Sequence, residues 1–357
     1  MLCRDRGDVA ALNHLGLPSI DSNGVMAFDH RTKLISSVFR PGQVWNDTNG
    51  VPINAHGGGV LFYQDMYYWY GEHKIAGPIG NTAQVGVHCY TSQNLVDWDD
   101  ADIVLAVAED DEGNQESEIA KGCILERPKV VYNESTQKFV MWFHLEWKGQ
   151  DYRTARSAVA VAASPTGPFT FLESFRPHGC MARDMTLFVD NDTAAYHLSA
   201  SEENATLHIC KLSDDYLRPS AESTYTRVFI DRHMEAPAVC RRQGRYFFLG
   251  SDCTGWDPNP ARSAIADSIM GPWFEKGNPC FGTTPDGKGP EITFGAQSSF
   301  LLPVVGKKSA FIAMFDQWCP ENPIDGRYVW LPVTFQGSDM IIRWHDAWDL
   351  SIFVDDE

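Results

Sequence analysis

The chain has no run of 18 apolar residues, so no segment is expected to span a bilayer as a helix. Basic side chains are also scarce, with 29 lysines and arginines against 47 aspartates and glutamates, a formal net charge of −18. This acidic balance argues against nucleic acid or an anionic membrane surface as a partner. The charge alone does not identify a substrate.

None of the nine cysteines forms a CxxC pair, and their number is odd, so a zinc or redox motif is not indicated. We expect most of them to be buried small hydrophobic residues, and one or two disulfides stay open as an alternative. The first ten residues lack an apolar signal core, which leaves an intracellular protein and a secreted protein without its leader as alternatives. Four N-x-[ST] sequons weakly favour the secretory route: Asn46, Asn133, Asn191 and Asn204.

Long amphipathic helices are absent too, and hairpins dominate the chain. The first hairpin joins residues 60–63 to 66–71 across a Gln64-Asp65 turn, and similar hairpins begin near residues 129, 185, 238 and 299. The spacing of these five starts is that of four-stranded propeller blades. The sequence therefore predicts an all-β, five-bladed β-propeller over residues 41–357 after an N-terminal lead-in over 1–40. A β-sandwich is the alternative fold, but repeats of this length are too long for single sandwich strands.

Two glutamates each stand two residues before a proline at the start of an apolar strand, Glu126 in Glu-Arg-Pro and Glu235 in Glu-Ala-Pro. Proline fixes its own φ and favours extended geometry in the residue before it, so each acid is expected to start its strand on a stiff backbone. The innermost strands of a propeller line its central channel. These two acids are therefore expected to converge although they are far apart in sequence.

The other blades begin with further polar residues: His56 among glycines in the first, Asp184 in the third and Gln297 in the fifth. His56 is as consistent with a structural role in a glycine-rich turn as with the channel, and Glu72 ends the second strand near the rim. Several acids on one channel raise each other's carboxyl pKa, which keeps a proton donor neutral beside an ionised carboxylate. Glycoside hydrolysis requires such a pair. The 11 tryptophans suit a sugar site as well as sheet packing.

Seven motifs in order over about residues 45–350 resemble glycoside hydrolase family 43, and within it the exo-β-1,3-galactanase (galactan 1,3-β-galactosidase) branch. The motifs are Ile-Asn-Ala-His-Gly-Gly-Gly at 53–59, Tyr-Trp-Tyr-Gly-Glu at 68–72, Glu-Arg-Pro-Lys-Val at 126–130, Arg-Asp-Met-Thr-Leu-Phe at 183–188, Glu-Ala-Pro-Ala at 235–238, Thr-Gly-Trp at 254–256 and Gln-Ser at 297–298. The resemblance implies a five-bladed propeller and inversion at the anomeric carbon.

The resemblance also implies roles for individual residues. Glu235 matches the general acid, Glu126 a carboxylate that binds the sugar, and Asp184 the acid that orients Glu235 and modulates its pKa. The wider family takes its base from an aspartate in the first blade, where this chain has Asn54-Ala55-His56. In the galactanase branch a glutamine at the position of Gln297 is thought to hold the nucleophilic water, which makes Gln297 a water-positioning residue. The implied sugar ligands are Glu72, Tyr152 and Asn204, with Thr254 and Trp256 beside the acid.

The resulting expectation is an inverting exo-acting glycoside hydrolase that releases terminal galactose from β-1,3-galactan, the arabinogalactan backbone. One alternative is an α-L-arabinofuranosidase or β-xylosidase of the same family, against which the missing first-blade aspartate argues. Another is a non-catalytic carbohydrate-binding propeller, which would not need a proton donor such as Glu235. The expected partner is an oligo- or polysaccharide bound by a monomer. No spacing requires a cofactor or metal, although a channel cation such as calcium, as in some relatives, stays open.

Overall fold

A computed structural model describes residues 38–109 and 117–355. The predicted lead-in therefore lies outside the described residues except for its last three positions. Within these, Phe39 is buried and forms an antiparallel bridge with Trp348 near the other end of the chain. Its ring stacks on that of Trp348 at 4.2 Å.

Five sheets follow one another along the chain, and each is one blade whose strands pair in chain order from the centre outward. The first blade contains β1 (His56–Tyr63), β2 (Met66–His73), β3 (Gly86–Ser92) and β4 (Asp99–Ala106). The second contains β5 (Ile124–Asn133), β6 (Lys138–Glu146), β7 (Arg156–Ala162) and β8 (Thr170–Phe175). The third contains β9 (Met185–Val189), β10 (Ala195–Ser201), β11 (Thr206–Lys211) and β12 (Tyr225–Val228).

The fourth blade contains β13 (Met234–Arg242), β14 (Arg245–Asp252), β15 (Arg262–Ala266) and β16 (Phe274–Gly277). The fifth contains β18 (Gln297–Pro303), β19 (Phe311–Gln317), β20 (Arg327–Gln336) and β21 (Asp339–Arg343), with the short β17 (Cys280–Phe281) added parallel to β21. The described part of the chain also contains four short 3-10 turns: Pro177–Gly179, Pro290–Gly295, Pro323–Asp325 and Leu350–Ile352. The fold is the five-bladed β-propeller that the hairpin spacing predicts.

Large aromatic side chains fill the space between blades. Trp69 of the first blade and Trp330 of the fifth are both fully buried, with ring centroids 4.7 Å apart. Trp45 joins the same cluster and packs edge-on against Trp330. The tryptophan content is therefore used largely for packing of neighbouring sheets, which holds the inner strands in fixed positions around the channel.

The inner strands of four blades are bulged close to their first residues, with register shifts after His56, Glu126, Glu235 and Ser298. Arg127 and Ala236, the residues before the prolines, both have φ of 54°. The expected extended geometry at these positions is therefore wrong. A bulge turns the side chain beside it, and here it directs the two glutamates while the strand continues normally beyond the proline.

The structure shows the state of the cysteines and the environment of the sequon asparagines. The eight cysteines among the described residues are all free thiols, and five of them are buried. Asn133 is buried, and its side-chain amide donates to the carbonyl of Asp214 at 2.7 Å, so this sequon is closed to a glycan. Asn46 and Asn191 are exposed.

Across residues 38–109 and 117–355, no helix has the length and apolar character needed to cross a membrane.

Candidate active site

The inner strands meet at a cavity of about 410 Å³ on the propeller axis. It is lined by Glu72, Lys74, Asn81, Glu126, Arg127, Tyr152, Arg183, Asp184, Asn204, Glu235, Cys253, Gly255, Trp256, Gln297 and Trp318. Four blades thus bring together the four residues predicted to be catalytic. Of the other candidate site residues, Glu72, Tyr152, Asn204 and Trp256 line the cavity, whereas His56 and Thr254 do not.

Glu235 stands at the start of β13 with its carboxyl group turned into the cavity. The side-chain amide of Asn204 donates to its Oε1 at 2.7 Å, and the thiol of Cys253 approaches the same oxygen at 3.1 Å. Burial, followed by the negative charge of Asp184, raises the pKa of Glu235 to about 7. The carboxyl group is therefore able to hold a proton near neutral pH, as a general acid requires.

Asp184 holds the backbone directly behind Glu235. Its Oδ2 accepts the backbone N–H of Ala236 at 2.9 Å and the Nε–H of Arg127 at 2.8 Å. Both groups are donors, so the Asp184 oxygen that faces them acts as the acceptor. Asp184 is thus placed to fix the bulge that directs Glu235 and to supply the negative charge beside it.

Glu126 is a second carboxylate of the cavity and acts as a hydrogen-bond acceptor. Its Oε1 accepts from the Tyr152 hydroxyl at 2.7 Å and from Asn81 Nδ2 at 2.9 Å, and its Oε2 lies 2.9 Å from His144 Nδ1. Burial alone would raise its pKa, but the hydrogen bond and charge of His144, with the hydrogen bond from Tyr152, lower it to about 2. The pKa values of the two glutamates of the repeated Glu-x-Pro pattern are therefore shifted in opposite directions.

Gln297 is fixed by side chains from three blades. Its Oε1 accepts from Arg127 Nη2 at 2.6 Å and from Trp318 Nε1 at 3.0 Å, while its Nε2 donates to Ser251 Oγ at 3.0 Å. The arginine and tryptophan nitrogens can only donate, so the atom facing them must be an acceptor. This network holds Gln297 as an ordinary amide with one remaining N–H.

Glu72 and Lys74 form the first-blade side of the cavity. Glu72 Oε1 accepts the backbone N–H of Arg127 at 2.9 Å, and its Oε2 lies 2.6 Å from Lys74 Nζ. Gly57 is required here, because a Cβ at this position would lie 2.4 Å from Glu72 Oε1. Glu72 therefore supports the bulge next to Glu126 in the way that Asp184 supports the bulge next to Glu235.

Two tryptophans form an apolar wall. Trp256 is 43% exposed, and its ring meets that of Trp318 edge to face, with centroids 6.0 Å apart. Exposed indole faces next to polar groups suit the C–H surface and hydroxyls of a pyranose. This wall lies next to Gln297, which Trp318 also contacts.

His56 and Thr254 lie outside the cavity lining. His56 is fully buried, with its Nδ1 3.3 Å from Asp316 and its ring stacked on Tyr328. This is the structural alternative to a channel-facing histidine. Thr254 donates to the carbonyl of Asp257 at 2.6 Å within its own loop.

Sequence reasoning missed several residues that build the site. Arg127 connects Asp184, Gln297 and the carbonyl of Ser298, and its place inside the Glu-x-Pro pattern was a usable signal. Buried Lys129, two residues further on, donates to the carbonyl of Gly57 at 2.9 Å. Trp318 follows the second strand of its blade, and nothing in the surrounding sequence distinguishes it from a tryptophan of the core.

A bound cation does not fit the most compact donor set. Glu126, His144 and Asp184 each offer one ligand atom within 4.8 Å of the others. His144 Nδ1, however, is hydrogen-bonded to Glu126, and Asp184 is paired with Arg127. Positive charge at this donor set is thus already supplied by protein side chains.

A channel that places a carboxyl group of raised pKa beside a carboxylate of lowered pKa, with aromatic walls, is the site of a glycoside hydrolase. The model of the glycosyl hydrolases family 43 matches residues 59–301, and the chain belongs to this family. A search of curated protein sequences gives no match.

Solved structures agree with this assignment. A family 43 β-1,3-galactosidase in complex with galactodeoxynojirimycin is 42% identical with a TM-score of 0.81, and the match covers 87% of this chain and all of that one. An exo-β-1,3-galactanase from Phanerochaete chrysosporium with β-1,3-galactotriose is 31% identical (TM-score 0.77), with 88% of this chain and 68% of that chain covered. An exo-β-1,3-galactanase from Clostridium thermocellum is 34% identical (TM-score 0.77), with 87% and 66% covered.

Proposed function

We propose that the protein is an inverting exo-acting glycoside hydrolase that releases terminal galactose from β-1,3-galactan, with Glu235 as its general acid. The observation that carries this proposal is the raised pKa of Glu235 in a cavity that also holds the ionised Glu126. The names of the similar structures supply the sugar and the linkage.

Binding rests on the polar groups around the cavity. Glu126 accepts hydroxyl protons of the terminal galactose, and the Asn204 amide and Tyr152 hydroxyl border the same space. Trp256 and Trp318 cover an apolar face of the sugar. The cavity is small, which suits one terminal residue rather than the middle of a long chain.

In the chemical step, Glu235 gives its proton to the glycosidic oxygen as the bond from that oxygen to the anomeric carbon breaks. Water attacks the opposite face of the anomeric carbon and releases one proton, so the product is the inverted anomer. Gln297 orients this water through its remaining N–H. The proton lost by the water passes to solvent, and Glu235 is protonated again from solvent before the next turnover.

The competing functions find less support. The start of the first inner strand carries no acid, because the residues there are Asn54, Ala55 and His56. The base expected of an arabinofuranosidase or β-xylosidase in this family is therefore missing. A purely sugar-binding protein would have no use for a carboxyl group kept protonated.

The test is incubation with β-1,3-galactobiose and longer β-1,3-galactans, followed by ¹H NMR of the first product formed. We expect free galactose that appears first as the α-anomer. Cleavage of aryl arabinofuranosides or xylosides instead would keep the fold and refute the substrate. Release of the β-anomer would refute inversion, and binding without any cleavage would favour the sugar-binding alternative.

A further inference from the structure

Behind Glu126, a buried carboxylate–imidazole–carboxylate row extends away from the cavity. His144 lies opposite Glu126 in the register of β5 and β6, and Glu146 follows two residues later on the same face of β6. His144 Nδ1 is 2.9 Å from Glu126 Oε2, and its Nε2 is 2.9 Å from Glu146 Oε1. Both His144 and Glu146 are completely inaccessible to solvent. Neither lines the cavity, so neither touches the substrate.

The far end of this row holds the loop that carries Tyr152. Glu146 Oε2 accepts the N–H and the hydroxyl of Thr154, both at 2.7 Å, and the N–H of Ala155 at 2.8 Å. Ala155 is fully buried with a φ of 44°, a conformation that needs support from its surroundings. The loop returns to the cavity at Tyr152, whose hydroxyl donates to Glu126. The contacts thus form a closed circuit from Glu126 through His144 and Glu146 to the loop and back.

The charges along this circuit are fixed by its geometry. An imidazole that faces a carboxylate at each ring nitrogen donates at both and is an imidazolium. Burial alone would lower the pKa of His144, but the hydrogen bonds and charges of Glu126 and Glu146 raise it to about 9. The pKa of Glu146 is lowered despite its burial, chiefly by His144.

Other charged groups face the same region. Asp184 has a carboxylate oxygen within 4.8 Å of the ligand atoms of Glu126 and His144, and the Tyr152 ring centroid is 5.8 Å from that of His144. Lys74 adds positive charge that also favours ionised Glu126. Because Asp184 adds negative charge, the imidazolium is the main buried group that compensates Glu126 from behind.

We propose that His144 and Glu146 are positioning residues of the galactosidase site, which keep Glu126 ionised and hold the loop of Tyr152 so that both are ready to bind the sugar. This inference rests on the proposed function for its sugar. It extends that function by assigning a role to two buried residues outside the cavity.

The experiment compares Glu146→Gln with Asp100→Asn. Asp100 forms a carboxylate–imidazole pair with His88 at 2.7 Å in the first blade and does not line the cavity, so it is the control for loss of such a pair outside the site. In Glu146→Gln the imidazolium loses one carboxylate, so its pKa falls and that of Glu126 rises. We expect KM for β-1,3-galactobiose to rise about fivefold or more with kcat nearly unchanged, as for lost binding that is equal in ground and transition states. The acid limb of kcat/KM should move up by about one pH unit.

Two further measurements make the result decisive. Long-range ¹H–¹⁵N NMR of the ring nitrogens, with His144→Gln used for assignment, should show His144 doubly protonated at pH 7.5 in the wild type and titrating at lower pH in Glu146→Gln than in the wild type. This readout and galactose binding by calorimetry do not depend on turnover, so they test the inference even if the wild type releases no galactose. If Glu146→Gln does not fold, Thr154→Val removes one hydroxyl donor to Glu146 and should raise KM in the same direction by less.

A neutral His144 in the wild type would overturn the proposal. So would a Glu146→Gln enzyme, or in its place a Thr154→Val enzyme, whose thermal stability falls while KM and the pH profile match those of Asp100→Asn. That pattern would mean that the row only stabilises the second blade.

Discussion

Asp184 accepts the backbone N–H of Ala236 across 2.9 Å, and Ala236 is the residue that follows Glu235. Glu72 has the same relation to Arg127, which follows Glu126, also at 2.9 Å. In both cases a carboxylate from the preceding blade secures a left-handed residue in a bulge and thereby fixes the direction of a glutamate. Each Glu-x-Pro segment therefore depends on a carboxylate of the preceding blade, which accepts the N–H of its middle residue.

Replacement of Glu235 by glutamine should remove the proton donor and leave the shape of the site. We expect kcat on β-1,3-galactobiose to fall by about 10²–10⁴, the usual contribution of a general acid. Galactose binding by calorimetry should change little, since Asn204 and Cys253 keep a side-chain oxygen to contact. Turnover close to that of the wild type would show that another group donates the proton.

The pH dependence of the wild type follows from the pKa of Glu235, raised to about 7. The protonated form is active, so kcat/KM should be level between the acid limb set by Glu126 and this value, and should fall tenfold per pH unit above it. Asp184→Asn removes the neighbouring negative charge, which should move this alkaline limb to lower pH. A limb that stays in place in Asp184→Asn would mean that burial alone sets the pKa.

Gln297→Glu tests whether the missing base can be restored. A carboxylate at this position would face Arg127 Nη2 and Trp318 Nε1, both donors, and would be stabilised in its ionised form. We expect the variant to retain turnover and to show a new acid limb in kcat/KM as this carboxylate is protonated. Gln297→Leu, which cannot orient water, is the comparison and should be strongly impaired. Equal loss in both variants would show that the amide itself is required.

Lys129 should make folding stability depend on pH in the alkaline range. Burial, followed by the positive charge of Arg127, lowers its pKa from 10.5 to about 7. Between these values the unfolded chain binds more protons than the folded one, so stability rises with pH. The Tm of the wild type should therefore rise relative to that of Lys129→Met from pH 7 to 10. A Tm difference that does not change with pH would contradict the lowered pKa.

Much of the architecture could be predicted because each blade repeats the same local signals. Hairpin turns at fixed spacing gave five sheets, and acids before prolines marked two inner strands. The bulges were not predicted, since the conformation of Arg127 and Ala236 depends on carboxylates that come from other blades. Local preferences before proline were overridden by these tertiary contacts.

The identity of the acidic residues in the site could be predicted from motifs, but the protonation and orientation of these residues could not, because contacts with other segments determine them. Glu235 and Glu126 share a motif, yet only their neighbours decide that the pKa of one is raised and that of the other is lowered. His144 and Glu146 lie in a largely apolar strand, whose sequence indicates only core packing. Their hydrogen-bond partners lie in a loop and in another strand, so the sequence of this strand does not reveal them. Gln297 is likewise held by side chains from three blades, and no single sequence segment indicates these contacts.

Asn204 has a practical consequence for producing the enzyme. Its amide nitrogen, which donates to Glu235, is also the atom that an oligosaccharyltransferase would modify in the sequon Asn204-Ala-Thr. Yeast or insect-cell secretion would expose the nascent chain to that transferase before the blade closes. A bacterial cytoplasmic host, or an Asn204-preserving Thr206→Val change where secretion is needed, keeps the amide free for its contact with the acid.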